Sequence, residues 1–404
     1  MTYIDRSLEP VVRRAAREFP AVVLAGPRQS GKTTLLRHLF RETHRYVSLE
    51  PPDVRAAAME DPRSFLEMNP PPVILDEVQC APGLVPFIKE RIGKGGGKTG
   101  QYLLTGYRNL PFSEKIIGSL RGRATMLRLL PLSYREIVKT PYANFPWEKG
   151  ARPGRHDYIF RDLWESFLKG GYPEIAANPK RDIARWHAGY VQSYLDRDLR
   201  SLRQIGDLAQ FHGFLRALAA RSAKLLHLTD LARDIGLAVN TVRAWISVLE
   251  ATGQIFILRP YFRNVGKRLV KTPKVYFADA GTLCYLVGLK DADHAMSGPM
   301  GSAIFETAVV GEIRRRLSGR GERPHLYFWR TSTGVEVDLI VETAGKLIPI
   351  EIKMSATPDR LMARNIVSFR KDLYGKAEKG YVVHPGDVTF PLVRDVVALA
   401  FADL

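Results

Sequence analysis

The chain has 404 residues, more than one hydrophobic core usually organises, so we expect two or three domains. Its composition, 45% hydrophobic and 25% charged, is typical of a globular protein, and the absence of an apolar run of roughly 18 residues excludes a helical membrane span. The amino-terminal stretch predicts no secretory signal, and two distant cysteines, Cys80 and Cys284, favour a reduced cytoplasmic protein.

The formal net charge of +18 is unevenly distributed. Residues 1–140 and 141–270 each carry a net charge of +8, whereas residues 271–404 carry only +2. A basic excess favours a polyanionic partner, because neutralising phosphates releases their counterions. DNA is therefore the expected partner of the first two thirds.

The first motif is a phosphate-binding loop. A buried strand, Ala21 to Ala25, leads into GPRQSGKTT and then a helix. The loop glycines let backbone N–H groups surround phosphates, Lys32 reaches the β- and γ-phosphates, and Thr33 binds Mg²⁺. The sequence therefore predicts bound ATP and Mg²⁺. The predicted nucleotide-binding residues are Gly26, Pro27, Arg28, Gln29, Ser30, Gly31, Lys32, Thr33 and Thr34.

Polar residues also end the next two apolar strands. Asp76 follows Val73 to Leu75 and is expected to hold Mg²⁺ together with Thr33. Glu77 is the candidate base that polarises the attacking water. After the strand QYLLTG, both Thr105 and Asn109 are candidates for sensing the γ-phosphate.

Two arginines precede the following apolar strand, in GSLRGRATMLRLL. In an oligomeric ATPase an arginine of one subunit stabilises the transition-state charge in its neighbour. Arg121 and Arg123 are the candidates, with Arg123 slightly preferred. An arginine acting in this way requires a homo-oligomer.

Residues 141–225 show apolar positions at helical spacing and form a predicted helical linker or lid region. Within it, LKGGYPEI predicts a helix end followed by a turn at Gly170 and Gly171, a turn that could approach the nucleotide.

A helix-turn-helix pattern with a following strand pair is predicted in the next segment, 226–270, with Gly236 at the turn. Leu231, Ile235, Val242, Ile246 and Leu249 supply the packing positions, and Asn240 is a candidate N-cap of the second helix. This is the pattern of a winged helix, whose second helix commonly enters the major groove of DNA. The alternative is a winged helix that packs only against protein.

DNA contacts in this segment are expected from basic and polar residues of the second helix and of the stretch YFRNVGKRLVKTPK. Lys271 and Lys274 of that stretch were also expected to follow a phosphate backbone. The predicted DNA-binding residues are Arg233, Asn240, Thr241, Arg243, Arg263, Lys267 and Arg268.

Residues 271–404 carry acidic residues within predicted strands. Glu351 and Lys353 lie two positions apart and therefore share one strand face, and Asp338 and Glu306 complete a possible cluster. Three acids near one lysine would hold a divalent metal and activate water for phosphodiester cleavage. The alternative is a structural network of ion pairs.

Taken together, these motifs resemble the bacterial and archaeal AAA-type ATPases that carry a carboxyl-terminal DUF4143 domain. The resemblance rests on the phosphate loop, LDEVQ, LLTG, GRATMLRLLPLS, PKVYFADAGTLCYLVGL, FETAVVGEI, FWRTSTGVEVDLIVE and IPIEIKMS. It implies an α/β fold with three parts: an AAA-type P-loop core (1–140), a helical and winged-helix middle, and a nuclease-like α/β domain similar to PD-(D/E)xK enzymes (271–404). The sequence departs from the family pattern at Tyr107 and Arg108.

Three functions follow as hypotheses. The first is an ATPase that binds DNA and remodels it or moves along it as an oligomer. The second is an ATP-regulated, metal-dependent nuclease, which the near-neutral charge of the last third disfavours. The third is a signalling ATPase with protein partners.

Overall fold

The structure is a computed structural model, and it describes residues 2–106, 118, 120, 122–151, 160–194, 208–261 and 270–404. The predicted site residues Asn109, Arg121, Arg263, Lys267 and Arg268, with Tyr107 and Arg108, lie outside these ranges.

The amino-terminal part is built on a parallel sheet of five strands. In order across the sheet they are β2 (Arg45–Ser48), β3 (Val73–Asp76), β4 (Tyr102–Gly106), β1 (Ala21–Ala25) and β5 (Ala124–Arg128). Because β4 lies between β1 and β3, the carboxyl ends of these three strands meet at one edge. The sequence patterns had not predicted β2, whose residues are mostly exposed or half-buried.

Helices cover both faces of this sheet. Val22 and Leu24 of β1 pack on one face against α1 and α2, and Val23 packs on the other against α5. This arrangement explains why β1 reads as a continuous apolar run, as strands buried on both faces do. The helices are α1 (Glu9–Glu18), α2 (Lys32–Phe40), α3 (Pro52–Glu60), α4 (Pro62–Met68), α5 (Leu84–Lys94) and the short α6 (Tyr134–Ile137).

The middle part is mainly helical within the described ranges, and it also contributes two strands to a second sheet. Its helix α7 ends at Lys169, and Gly170 follows with φ +75°, so the predicted helix end and turn are confirmed. The helices are α7 (Phe160–Lys169), α8 (Pro173–Ala176), α9 (Ile183–Tyr194), α10 (Leu208–Ala219), α11 (Leu228–Asp234) and α12 (Val239–Ala251).

The helix-turn-helix pattern corresponds to α11 and α12. Leu231, Val242, Ile246 and Leu249 are buried there as predicted, and Ile235 is half-buried. The N-cap prediction was wrong: Ala238, with ψ 141°, precedes the first helical residue, and Asn240 lies inside α12. Without a side-chain cap, nothing in the local sequence marked this helix start.

A second sheet of nine strands runs from the middle part to the carboxyl terminus. The parallel pairing of β7 with β9 joins its two halves, so the sheet crosses the boundary predicted near residue 270. Across the sheet the strands are β13 (Phe390–Val393), β14 (Val396–Ala400), β12 (Gly380–His384), β11 (Lys346–Ile352), β10 (Glu336–Thr343), β9 (Leu326–Arg330), β7 (Ile255–Pro260), β8 (Lys274–Phe277) and β6 (Lys224–Leu225).

The largest core connects this sheet to the helices around it. Phe211, Trp245, Phe305 and Ile350 belong to one buried cluster, which therefore spans the middle part and the last third. The remaining helices are α13 (Ala280–Leu286), α14 (Ala292–Ser297), α15 (Gly301–Gly319) and α16 (Arg364–Asp372). No helix within the described ranges is long and apolar enough to cross a membrane.

Candidate functional site

The predicted phosphate loop connects β1 to α2 at the carboxyl edge of the first sheet. Gly31 adopts φ +91° just before the first helical residue, a conformation that glycine adopts without strain. A Cβ added at Gly26 would lie 2.0 Å from the carbonyl oxygen of Leu129, so this position has no room for any side chain. The two motif glycines are thus explained by geometry.

Lys32 points back into this loop. Its Nζ donates to the carbonyl oxygens of Gly26 and Pro27, at 3.2 and 3.0 Å, and the side chain is buried. The hydroxyl of Ser30 also donates to the Pro27 carbonyl, at 2.9 Å. A buried ammonium inside a loop of backbone groups is suited to phosphate oxygens.

Asp76 connects three hydroxyl-bearing residues at the sheet edge. Thr33 Oγ1 lies 2.8 and 3.0 Å from its two carboxylate oxygens, and the Tyr46 hydroxyl donates to it at 2.9 Å. Thr105 Oγ1 also donates to Asp76. A carboxylate beside a threonine hydroxyl is a donor set that fits Mg²⁺, which binds hard oxygen ligands.

Glu77 lies next to Asp76 in a left-handed conformation, with φ +57°. Its backbone N–H donates to Thr105 Oγ1 at 3.0 Å, and the side-chain amide of Gln79 donates to its carboxylate. These contacts hold Thr105 between the two acids. The sequence reasoning had left Thr105 and Asn109 open as sensor candidates, and Asn109 is outside the described residues.

A cavity of about 360 Å³ opens over the loop, and Glu77 lines it together with Lys32 and Thr33. Segments distant in sequence close its other side: Tyr3, Ile4 and Arg6 of the amino terminus, and Pro173 and Glu174 of the middle part. A Cβ at Gly31 would lie 3.5 Å from Pro173 Cγ, so the turn after α7 does approach the loop.

Arg6 is a site residue that the sequence reasoning missed. Its guanidinium donates to the Ser30 carbonyl at 2.8 Å and to the Leu130 carbonyl at 2.6 Å, and its Nε lies 3.2 Å from Glu136 Oε1. All of these groups are buried. Because Arg6 donates to a carbonyl of the phosphate loop, it helps to fix the loop conformation; no motif in the sequence marks it.

The middle part also contacts the loop at a second point. A Cβ at Gly253, in the turn between α12 and β7, would lie 3.7 Å from the Pro27 side chain. The helix-turn-helix segment therefore ends directly beside the phosphate loop.

Arg123 lies at the start of β5, at the amino edge of the first sheet. The phosphate loop lies at the opposite, carboxyl edge, so Arg123 is remote from the nucleotide cavity of its own chain. Its guanidinium donates to the Lys89 carbonyl at 3.4 Å.

The predicted DNA-contact residues of the described part lie mainly on the surface. Arg233, Asn240 and Arg243 are exposed, and Thr241 is half-buried. Arg243 donates to Asn240 Oδ1 at 3.1 Å, whereas Arg233 pairs with Asp230 at 3.3 Å. Arg243 and Asn240 thus present adjacent polar groups on the amino-terminal half of α12.

The acidic residues of the last third converge on a lysine that was assigned another role. Lys274 of β8 was expected to follow a phosphate backbone, but its side chain is only 4% exposed. Its Nζ lies 2.6 Å from Glu336, 2.9 Å from Glu306 and 3.8 Å from Asp338. Burial tends to lower the pKa of Lys274, but the charges of Glu306, Asp338 and Glu336 outweigh it and raise that pKa.

Glu351 lies in β11 and Lys353 directly follows the end of that strand, and the two side chains form an ion pair of 2.7 Å. Asn365 donates to the same Glu351 oxygen at 3.3 Å, whereas the other oxygen is buried without a hydrogen-bond partner. Burial, together with the nearby charge of Asp338, raises the pKa of Glu351 to about 8.

Within the described ranges, no group of three or more His, Cys, Asp or Glu side chains is arranged to hold a metal ion. The acids named for a nuclease-like site do lie near one another, but Lys274 stands between Glu306 and Asp338. The arrangement observed is a network of ion pairs.

Three family models match the chain. One, described as an AAA domain, covers residues 18–138, and one, the domain of unknown function DUF4143, covers residues 301–403. Between them, the domain of unknown function DUF8612 covers residues 160–293.

Two proteins of similar sequence are described without an activity. An uncharacterized protein of Mycobacterium tuberculosis is 29% identical over 96% of this chain and 81% of its own length. An uncharacterized protein of Methanocaldococcus jannaschii is 23% identical over 79% of this chain and 71% of its own length. Among solved structures, the Walker-type ATPase of Pyrococcus abyssi is 15% identical, with a TM-score of 0.44 over 70% of this chain and 96% of its own. The chain therefore combines an AAA-type P-loop domain at residues 18–138 with a DUF4143 domain at residues 301–403.

Proposed function

We propose that the chain binds ATP with Mg²⁺ in the cavity over the phosphate loop and hydrolyses it, and that nucleotide binding controls a DNA-binding winged helix. The observation that carries the ATPase site is the contact of Thr33 with Asp76 beside the buried Lys32. These side chains come from a helix start and a neighbouring strand end, where phosphates and their cation are expected together.

In this proposal each residue has a distinct task. Lys32 and the loop N–H groups bind the β- and γ-phosphates, and Thr33 and Asp76 hold Mg²⁺, which neutralises charge on the phosphate oxygens when bound. Glu77 accepts the proton of a water that attacks the γ-phosphorus, while the bond from that phosphorus to the β–γ bridging oxygen breaks and ADP leaves. Thr105, which contacts both Asp76 and the Glu77 backbone, is the proposed γ-phosphate sensor.

The DNA-binding part of the proposal rests on the order of elements in the middle. Helix α10, strand β6, helices α11 and α12, and strands β7 and β8 follow one another, and β8 lies between β6 and β7 in the sheet. This is the arrangement expected of a winged helix with α12 as recognition helix. Asn240, Thr241, Arg243 and Arg233 are its proposed contacts, joined by Arg263, Lys267 and Arg268.

Coupling between the two activities is supported by the position of Gly253. The turn that follows α12 lies close to Pro27 of the phosphate loop, since a Cβ added at Gly253 would lie 3.7 Å from that side chain. A change in the loop on nucleotide binding would therefore reach the recognition helix. We also propose that Arg123, remote from its own cavity, serves the site of a neighbouring copy in a homo-oligomer, with a hexamer as the expected ring.

The test is steady-state ATP turnover with and without duplex, single-stranded and branched DNA, at two salt concentrations. We expect stimulation that weakens as salt rises, because phosphate contacts release counterions. ATP turnover that none of these DNAs changes would reject the proposal that the ATPase responds to DNA. It would favour an ATPase that acts with protein partners. Lys32→Ala is the control that identifies a contaminating ATPase.

A further inference from the structure

The acidic cluster of the last third, formed by Glu306, Glu336 and Asp338, surrounds the ammonium group of Lys274. The Lys274 ammonium contacts one carboxylate from α15, Glu306, and two from β10, Glu336 and Asp338. The distances of 2.6 and 2.9 Å to Glu336 and Glu306 are those of charge-assisted hydrogen bonds.

Other groups of the chain also donate to these three acids. The Tyr276 hydroxyl donates at 2.6 Å to the same Glu306 oxygen, Oε1, that Lys274 contacts, and the Ile352 backbone N–H donates to Asp338 Oδ2 at 2.8 Å. Arg330 donates to the second oxygen of Glu336 at 2.9 Å. Each of the three carboxylates therefore accepts at least one hydrogen bond from a group of the chain, as buried charges usually do.

A divalent cation would compete with Lys274 for the same oxygens. Mg²⁺ and Ca²⁺ require several oxygens at roughly 2.0–2.6 Å from one point. The Lys274 ammonium between Glu306 and Asp338 occupies the position that such a cation would need. Its positive charge would also repel the cation. Glu351, which a nuclease-like site would also use, is engaged separately by Lys353.

We infer that Lys274 is a built-in counterion that takes the place of a divalent metal in the cluster of Glu306, Glu336 and Asp338. The cluster therefore binds no Mg²⁺ or Mn²⁺ in the native protein. Its role is to fasten β8, which follows the proposed recognition helix, to α15 and β10 of the DUF4143 domain. This inference does not depend on the ATPase or DNA-binding proposals.

The test is a Mn²⁺ titration of the nucleotide-free, full-length protein, with free Mn²⁺ read by electron paramagnetic resonance. Wild type is expected to bind no Mn²⁺ that depends on Asp338. Lys274→Met, which keeps the length of the side chain and removes its charge, is expected to gain one Mn²⁺ per chain. The double variant Lys274→Met with Asp338→Asn should lose that ion, and Lys274→Arg should not gain it.

Two outcomes would overturn the inference. One is Mn²⁺ binding by wild type that disappears in Asp338→Asn, and the other is a folded Lys274→Met that gains no ion. If Lys274→Met does not fold, the Mn²⁺ binding of wild type is compared with that of Asp338→Asn. This comparison still shows whether the native cluster binds a metal ion. Mn²⁺ at the nucleotide site is recognised because Asp76→Asn removes it and Asp338→Asn does not.

Discussion

Arg6 and Glu136 form a buried ion pair of 3.2 Å beside the phosphate loop, although they lie 130 residues apart in sequence. Glu136 also accepts the backbone N–H groups of Ser7 and Ser133, at 2.7 and 2.8 Å. The amino terminus, the phosphate loop and the start of α6 therefore share one charged junction. The DUF4143 domain reaches the same helix, since Glu312 of α15 accepts the Tyr134 N–H at 2.7 Å.

Arg6→Ala should destabilise the protein and weaken nucleotide binding. Removing one partner of a buried ion pair costs about 3–5 kcal/mol, because the other charge is left uncompensated. Urea unfolding measures the stability, and titration with a fluorescent ATP analogue measures the affinity. A double-mutant cycle with Glu136→Gln separates the pair from the Ser30 contact: if Arg6→Ala weakens binding no more than Glu136→Gln does, the Ser30 contact has no role in the loop.

Gly26→Ala should weaken nucleotide binding without unfolding the protein. The added methyl would overlap the Leu129 carbonyl at 2.0 Å, so the loop must move away from β5. We expect the Kd for ATP to rise about tenfold or more, which corresponds to about 1.4 kcal/mol. Isothermal titration calorimetry measures it. Gly83→Ala is the matched control, because nothing lies within 4 Å of a Cβ there; equal effects of the two variants would contradict the steric explanation.

Asp76→Asn should reduce ATP turnover far more than ATP affinity measured without Mg²⁺. The amide retains the size of the side chain but loses the charge that Mg²⁺ requires. A Mg²⁺ titration of turnover should shift to higher concentrations, whereas Tyr46→Phe, which removes only a hydroxyl donor to the same carboxylate, should shift it little. An unchanged Mg²⁺ dependence in Asp76→Asn would exclude this residue as a metal ligand.

Arg243→Ala should weaken DNA binding and leave basal ATP turnover unchanged. Loss of one phosphate contact reduces the slope of log K against log salt by about 1. Fluorescence anisotropy at several salt concentrations measures this slope. Arg14→Ala removes an exposed arginine of α1 and serves as the control; a slope that falls equally in both variants would indicate a general charge effect.

Acidification should destabilise the middle part through His187. This fully buried ring lies 3.3 Å from the Lys169 carbonyl, and burial lowers its pKa below 6.5. Because the unfolded state then binds the proton more readily, the stability from the neutral ring is present above about pH 6.5 and is lost as pH falls through the folded pKa. Urea unfolding at several pH values should show a shallower loss for His187→Gln than for wild type, while the exposed His325→Gln should match wild type.

The sequence by itself determined the parts whose signals are local. The strand and helix that flank the loop, and the position of Asp76 at the end of β3, were predicted correctly because turn chemistry and a buried apolar run act within a few residues. The packing positions of α11 and α12 followed from helical periodicity. The start of α12 was misplaced by the N-cap prediction, because Ala238 makes no capping hydrogen bond for a sequence pattern to reveal.

Only the tertiary structure decided which distant side chains share a site. Packing between segments far apart in sequence places Arg6 against the phosphate loop and places Pro173 near Gly31. One feature of the sequence weakly indicated the position of Lys274. It lies two residues before Tyr276 in β8, so both side chains share one strand face, and both contact Glu306. Charge alone suggested an exposed lysine; its burial depends on the pairing of β7 with β9, a long-range contact that no local pattern encodes.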